Sequence, residues 1–222
     1  MKKFASIMFT LMFLFSSVSV ASAKEEASSQ QDLINLLNKY GFEATQDSSI
    51  IATANETLKI NNLEELEIQL KEFKKSIQSA KSNAEEEILI PVSPQSKLNS
   101  FSSLAATTYN DSHVNSWWCP GNALWGGTAI TITCNIAYDY SYSYANGNAY
   151  FTSASNFTSY LGGIHIYTWV GTNHSYNFTT TNSPGDTMKI KTLGYYLLGI
   201  TWNNIPIGAT LNDEWNASLR LY

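Results

Sequence analysis

The chain has 222 residues, a formal net charge of −5 and 44% hydrophobic residues. That length accommodates one or two domains. The mild acidity argues against nucleic acid or anionic lipid as an electrostatic partner.

The first segment is the most specific. Lys2 and Lys3 precede an apolar run from Phe4 to Val20, and Ala21-Ser22-Ala23 follows as a small-residue cleavage site. This is the pattern of a secretory signal peptide over residues 1–23, with Lys24 as the mature N-terminus. It places the protein outside the cell, in an oxidising compartment. No later run approaches the roughly 18 apolar residues of a membrane-spanning helix, so no transmembrane span is expected. No cysteine adjoins the cleavage site and no Leu-Pro-x-Thr-Gly signal ends the chain, so free secretion is the expectation.

Charge then divides the chain. Most Glu and Lys lie between Lys24 and Lys97, whereas only Lys189, Lys191 and Arg220 are basic from Leu98 onward. All six Trp lie after residue 100. Such a shift marks two modules. Residues 28–81 read α-β-β-α. Gln31 to Tyr40 has helical apolar spacing and Gly41 ends that helix. Ser49–Thr53 and Thr57–Ile60 are strand-like. Asn61 or Asn62 caps a second helix whose stripe is Leu63, Leu66, Ile68, Leu70, Phe73 and Ile77. Residues 82–107 form a Ser- and Pro-rich linker, with Ile88 to Val92 as a candidate added strand.

Residues 108–222 read as an antiparallel β-sandwich. Ile130 to Tyr144 alternates strictly, with Ile132, Cys134, Ile136, Tyr138, Tyr140, Tyr142 and Tyr144 on one face, and its length implies a bend or a crossing between sheets. Asn146-Gly147 is a two-residue hairpin turn that sets Ala145 opposite Asn148, Tyr142 opposite Phe151 and Tyr140 opposite Ser153. Further strands are expected at Ile164–Val170, His174–Thr180, Thr187–Leu193, Tyr195–Trp202 and Trp215–Tyr222. Gly171-Thr172-Asn173, Ser183-Pro184-Gly185 and Asn203-Asn204 punctuate them. Asp213 and Glu214 read as the turn before the last strand.

Cys119 and Cys134 are the only cysteines. Outside the cell an even pair reads as a disulfide. Thr131-Ile132-Thr133-Cys134 is similar to the Thr-Leu-x-Thr-Cys motif of sortases, but His113 and Arg220 do not fall where that family's His and Arg lie. His113, His165 and His174 lack metal-ligand spacing, and His165 reads as a core or edge histidine. No cofactor motif and no catalytic signature is present. Asp139, Asp186, Asp213 and Glu214 offer carboxylates without a glycosidase pattern.

The loop Trp117 to Gly127 is the strongest binding candidate, because Trp rings stack on sugar faces and Gly and Pro hold them on a loop. Its alternative is that Trp117 or Trp118 plugs the core. Contact residues are therefore expected among Trp117, Trp118, Trp125, Tyr140 and Tyr142, with the tyrosines partly buried.

The leader, Tyr40-Gly41-Phe42, Leu63-Glu64-Glu65-Leu66-Glu67 and the aromatic β-rich tail together resemble small exported proteins of Gram-positive, Bacillus-like bacteria, mostly of unknown function. That resemblance implies export and carries no site residues. The expected function is non-enzymatic surface binding, with cell-wall glycan or other polysaccharide as partner. A self-associating extracellular matrix protein and an enzyme with a scattered site are the alternatives. Mass analysis of exported protein should find Lys24 at the N-terminus; an intact Met1–Ala23 segment would defeat the leader assignment.

Overall fold

The computed structural model describes residues 29–54, 56–84, 88–91, 107–120, 131–145, 147–163 and 165–222. Residues 1–28, including the leader, lie outside it. The protein is mainly β, with two sheets and few helices. The expected sandwich is present.

The smaller sheet is a meander of β4 (Thr107–Pro120), β5 (Thr131–Ala145) and β6 (Asn148–Gly163). On β5 the apolar alternation maps onto burial: Ile132, Cys134, Ile136, Tyr138 and Tyr140 are all buried. The strand does not cross between sheets. Its length is absorbed by register shifts between Ala137 and Asp139 and between Ser141 and Tyr142. Ala145 faces Asn148 and Tyr142 faces Phe151 as expected, but the second shift moves Tyr140 from Ser153 to Ala154. Asn156, at φ 54°, takes up the first shift, a left-handed conformation that Asn tolerates.

The larger sheet is organised by two long strands, β8 (Thr187–Trp202) and β9 (Ile205–Leu221). Asn203 and Asn204 join them with φ of 48° and 63°, the two left-handed residues of a type I′ hairpin. β7 (Thr168–Thr179) pairs antiparallel with the first part of β8. β2 (Thr57–Ile60) pairs parallel with its last part. On the other side, β1 (Glu43–Thr45) pairs antiparallel with β9 at Gly208 to Thr210, and β3 (Ile88–Ile90) pairs parallel with it at Leu219 to Leu221. The candidate strand in the linker is therefore real.

This pairing corrects the division into a separable 28–81 module and an independent 108–222 domain. Three strands from before residue 91 belong to the same sheet as β8 and β9. A chain beginning at residue 108 would leave Leu198, Ile200 and Trp202, all buried, without the segments that share their sheet edges. Composition changes along the chain, but hydrogen bonding does not divide with it.

Helix α1 (29–39) meets the larger sheet at Ser29, whose hydroxyl accepts from the Trp202 indole N–H at 3.0 Å, and α3 (Leu63–Ala84) lies against β4 of the smaller sheet as well as β9 and β2 of the larger one. Phe73 on α3 meets the ring of Tyr196 at 5.4 Å and Tyr167 at 4.5 Å. Leu66, Leu70, Phe73 and Ile77 are buried. Ile68, expected in that stripe, is 60% exposed, because it stands two residues from Leu66 and Leu70 and so points away from them. Asn62 caps α3, its Oδ1 accepting from the Glu64 amide at 2.8 Å. Gly41 closes α1 at φ 81°, with the Phe42 amide donating to the Leu37 carbonyl.

Residues Ser49–Thr53 are not a strand. Ser48–Ile51 form the short helix α2, capped by Asp47, whose carboxylate accepts from the Ser49 amide at 2.8 Å. The cap outweighs the β-branched pair Ile50-Ile51. Three further readings change. The strand after the Asn146-Gly147 turn, expected as far as Ser153, runs on to Gly163. β7 and β8 each run through the expected breaks at Gly171-Thr172-Asn173 and Gly194. Asp213 and Glu214 sit within β9, not in a turn. Gly194 is small because a Cβ there would stand 2.5 Å from Trp169 Cζ2; it seats a ring instead of making a turn.

The turn Thr181–Asp186 joins the sheets. Phe151 of β6 donates its amide to the Gly185 carbonyl and Leu221 of β9 donates to that of Asp186. The Asp186 side chain is 1% exposed and accepts from the amides of Thr181, Asn182 and Ser183 at 2.8, 2.7 and 3.0 Å. Burial alone would raise its pKa; the amides and the Thr187 hydroxyl outweigh that and hold it below the ordinary carboxylate value. A depressed folded-state pKa stabilises the protein above the unfolded value near 3.9 and is lost as pH falls through the folded one. Asp186→Asn should therefore cost about 1–3 kcal/mol at neutral pH. It should also flatten the acid limb of a stability–pH profile; an unchanged acid limb would refute this role.

Candidate functional site

The expected aromatic loop is not a loop where the structure describes it. Trp117 and Trp118 lie on β4 and alternate between its faces. Trp117 is buried and meets Trp215 edge-on at 5.4 Å. Trp215 in turn stacks on Trp169 at 4.0 Å and donates its indole N–H to the Tyr196 hydroxyl at 3.0 Å. Trp117 is thus a core residue, not a ligand contact. Trp125 lies outside the described residues.

Tyr140 is also removed from the contact set. It is buried, and its hydroxyl donates to Asp111 at 3.2 Å. Burial first, then the neighbouring Asp111, hold its pKa above the ordinary phenol value. Tyr138 is held up the same way by burial; its hydroxyl donates to Asn115 at 2.6 Å. Tyr142 is half-buried and stacks on Tyr109 at 5.2 Å at the rim of the sandwich. Partial burial thus describes Tyr142 but understates Tyr138 and Tyr140.

The histidines are absorbed by packing. His165 Nδ1 bonds the Tyr167 carbonyl at 2.6 Å, ahead of β7 and not within it. His174 Nδ1 bonds the Thr192 hydroxyl at 3.0 Å, and burial lowers its pKa. His113 faces Tyr138 edge-on and is likewise lowered by burial, with Asp111 opposing. The four carboxylates do not converge. Asp139 is on the outer face of the small sheet, Asp186 is in its turn, and Glu214 pairs with Lys191 on the other sheet.

What the structure does assemble is the outer face of β4–β5–β6. Cross-strand register builds it row by row. One row is Trp118, Thr133 and Gly162; the next is Ser116, Asn135 and Tyr160. Trp118 is 51% exposed and Tyr160 46%. They stand at opposite corners of a patch whose floor is small and polar. Asn135, 6% exposed beneath them, accepts from Ser116 Oγ at 2.6 Å and donates to Thr133 Oγ1 at 3.1 Å. Gly162 keeps that floor open: a Cβ there would stand 2.5 Å from Thr133 Oγ1.

Further along the same face, Asn110, Ser112, Asp139, Ser141 and Ser155 line a cleft of about 510 Å³. Ser141 Oγ donates to Asn110 Oδ1 at 2.7 Å, and Asn156 Nδ2 to Asp139 Oδ2 at 2.6 Å. Neither Tyr160 nor this cleft was visible as a site in sequence. Tyr160 lies in a stretch without apolar alternation, and only the register with Asn135 brings it beside Trp118. Among the described residues no group of three or more His, Cys, Asp or Glu is placed to hold a metal ion.

No protein-family model, curated protein or solved structure matches the chain. No helix among the described residues is long and apolar enough to cross a membrane.

The cysteines lie on neighbouring strands. Cys119 opposes Ile132 and Cys134 opposes Trp117, so the two are diagonal in the backbone register. Diagonal Cα atoms stand about 7–8 Å apart, just beyond the usual disulfide span. The Cys119 side chain lies outside the described residues. A bond between them would close a segment of the kind that gains about 3 kcal/mol. Thiol titration of the exported protein under denaturation should find no free thiol; two would reject the bond.

Proposed function

We propose that this is an exported, non-enzymatic carbohydrate-binding protein whose ligand surface is the outer face of β4–β5–β6. The observation that carries the reading is the Trp118–Tyr160 patch. A sugar ring presents an apolar C–H face and a rim of hydroxyls. Two exposed aromatic rings offer the first a stacking surface, and the hydroxyls of Ser116 and Thr133, held in place by the buried Asn135 amide, offer donors and acceptors to the second.

A concave, apolar pocket suits a small cofactor; an open, polar sheet face with raised rings suits a polymer that has to be approached from one side. The leader sequence agrees, since wall and matrix polysaccharides are what an exported protein meets. Self-association through the same face is the rival, because exposed Trp and Tyr also mark protein interfaces.

The test is retention on insoluble chitin and cellulose. Trp118→Ala should weaken binding by about 2 kcal/mol, roughly thirtyfold in Kd. The melting temperature should hold, since the ring is half exposed. Wild-type protein that ignores both polymers but sediments as larger species with rising concentration, an effect lost in Trp118→Ala, would replace this reading with self-association.

A further inference from the structure

We infer that the ligand is a linear, extended and uncharged polysaccharide that lies along the strand direction, engaging both the Trp118–Tyr160 patch and the cleft at Asn110, Asp139 and Ser141. This rests on the carbohydrate-binding reading and adds the ligand's shape and charge.

The two polar regions share one sheet face and one line. Along β5, the outward residues in order are Thr133, Asn135, Ala137, Asp139 and Ser141. Six residues separate Asn135 from Ser141, about 20 Å at the strand rise. That exceeds one or two sugar rings. Between the regions stand Val114, 41% exposed, and Ala137, its cross-strand partner. They make a low apolar step over which ring faces can pass. No bulky side chain interrupts the row, so a chain that stays straight can touch both ends, whereas a coiled chain would leave the surface after the first contact.

The charge argument is independent of the geometry. β4, β5 and β6 contain no Lys or Arg, and Asp111 and Asp139 are their only acidic residues. The cleft is lined by both. A polymer of uronates or phosphodiesters would bring like charge against these carboxylates with no cation on the sheet to offset it. Neutral hydroxyls and acetamides bond to Asn, Ser and carboxylate groups without that penalty.

The experiment compares a ladder of soluble chitin and cellulose oligosaccharides with the polymers, and with polygalacturonate, on the full exported chain. Affinity should rise with length beyond the disaccharide, and polygalacturonate should bind at least tenfold more weakly than the neutral polymers. The double variant Asn110→Ala/Ser141→Ala should lose about tenfold on the longest chains, with its melting temperature as the check on folding. Equal affinity for disaccharide and polymer, an unaltered double variant, or equal binding of polygalacturonate would overturn the inference while leaving carbohydrate binding intact. Absence of binding to every glycan, by wild type and variants alike, would overturn both.

Discussion

Every residue of β8 pairs with a residue of β9 through the hairpin at Asn203-Asn204, and this ladder is the constraint on which the rest depends. It presents two long edges, and each is closed by two segments end to end: β7 and β2 along β8, β1 and β3 along β9. Those segments come from separate parts of the chain. The ladder therefore draws the acidic, helical first third and the aromatic remainder into one sheet. Such non-local pairing incurs its loop-closure entropy before most of its contacts form. The two positive-φ asparagines reduce that cost by holding the hairpin in the hand that strand twist requires.

Above this ladder, a chain of rings binds the layers. Trp117 of the small sheet meets Trp215, Trp215 stacks on Trp169, and Tyr196 receives the Trp215 N–H while Phe73 of α3 packs on its ring. One aromatic cluster thus touches the small sheet, the large sheet and a helix. Each such pair adds about 0.5–1.5 kcal/mol beyond its buried area, and the polar atoms of the rings find partners inside the protein. Tyr138 and Asn115 extend the same logic, since the Asn115 amide also reaches the Ser218 carbonyl of β9 at 3.4 Å.

One face of β4–β5–β6 supplies that core, and the other face is polar. Asn, Ser and Thr pairs bond across it, at Thr108 and Ser143 as well as at Ser116 and Asn135. These pairs satisfy one another and hold the side chains in fixed positions. The bulge at Ala137 to Asp139 lies between the two polar regions, a place where a strand re-aims its side chains.

Sequence alone determined what depends on local spacing. Period-two alternation named the buried face of β5, because a pleated strand turns successive side chains to opposite sides. Gly41, Asn62, Gly147 and Asn203-Asn204 marked ends and turns, because their backbone demands are local. It misjudged Ser49–Thr53, where one cap at Asp47 outweighed β-branched propensity, and Gly194, whose smallness answers a ring from another strand. It left open whether Trp117 or Trp118 plugs the core, and it expected only partial burial of Tyr140. Alternation separates neighbours, but which face meets another layer is decided by what packs there. Only the tertiary structure could decide that Trp215 covers Trp117, that Tyr160 stands across Asn135 from Trp118, and that the acidic first third completes the sheet. Each of these is a register between distant segments, and register is set by hydrogen bonds that no single stretch of sequence contains.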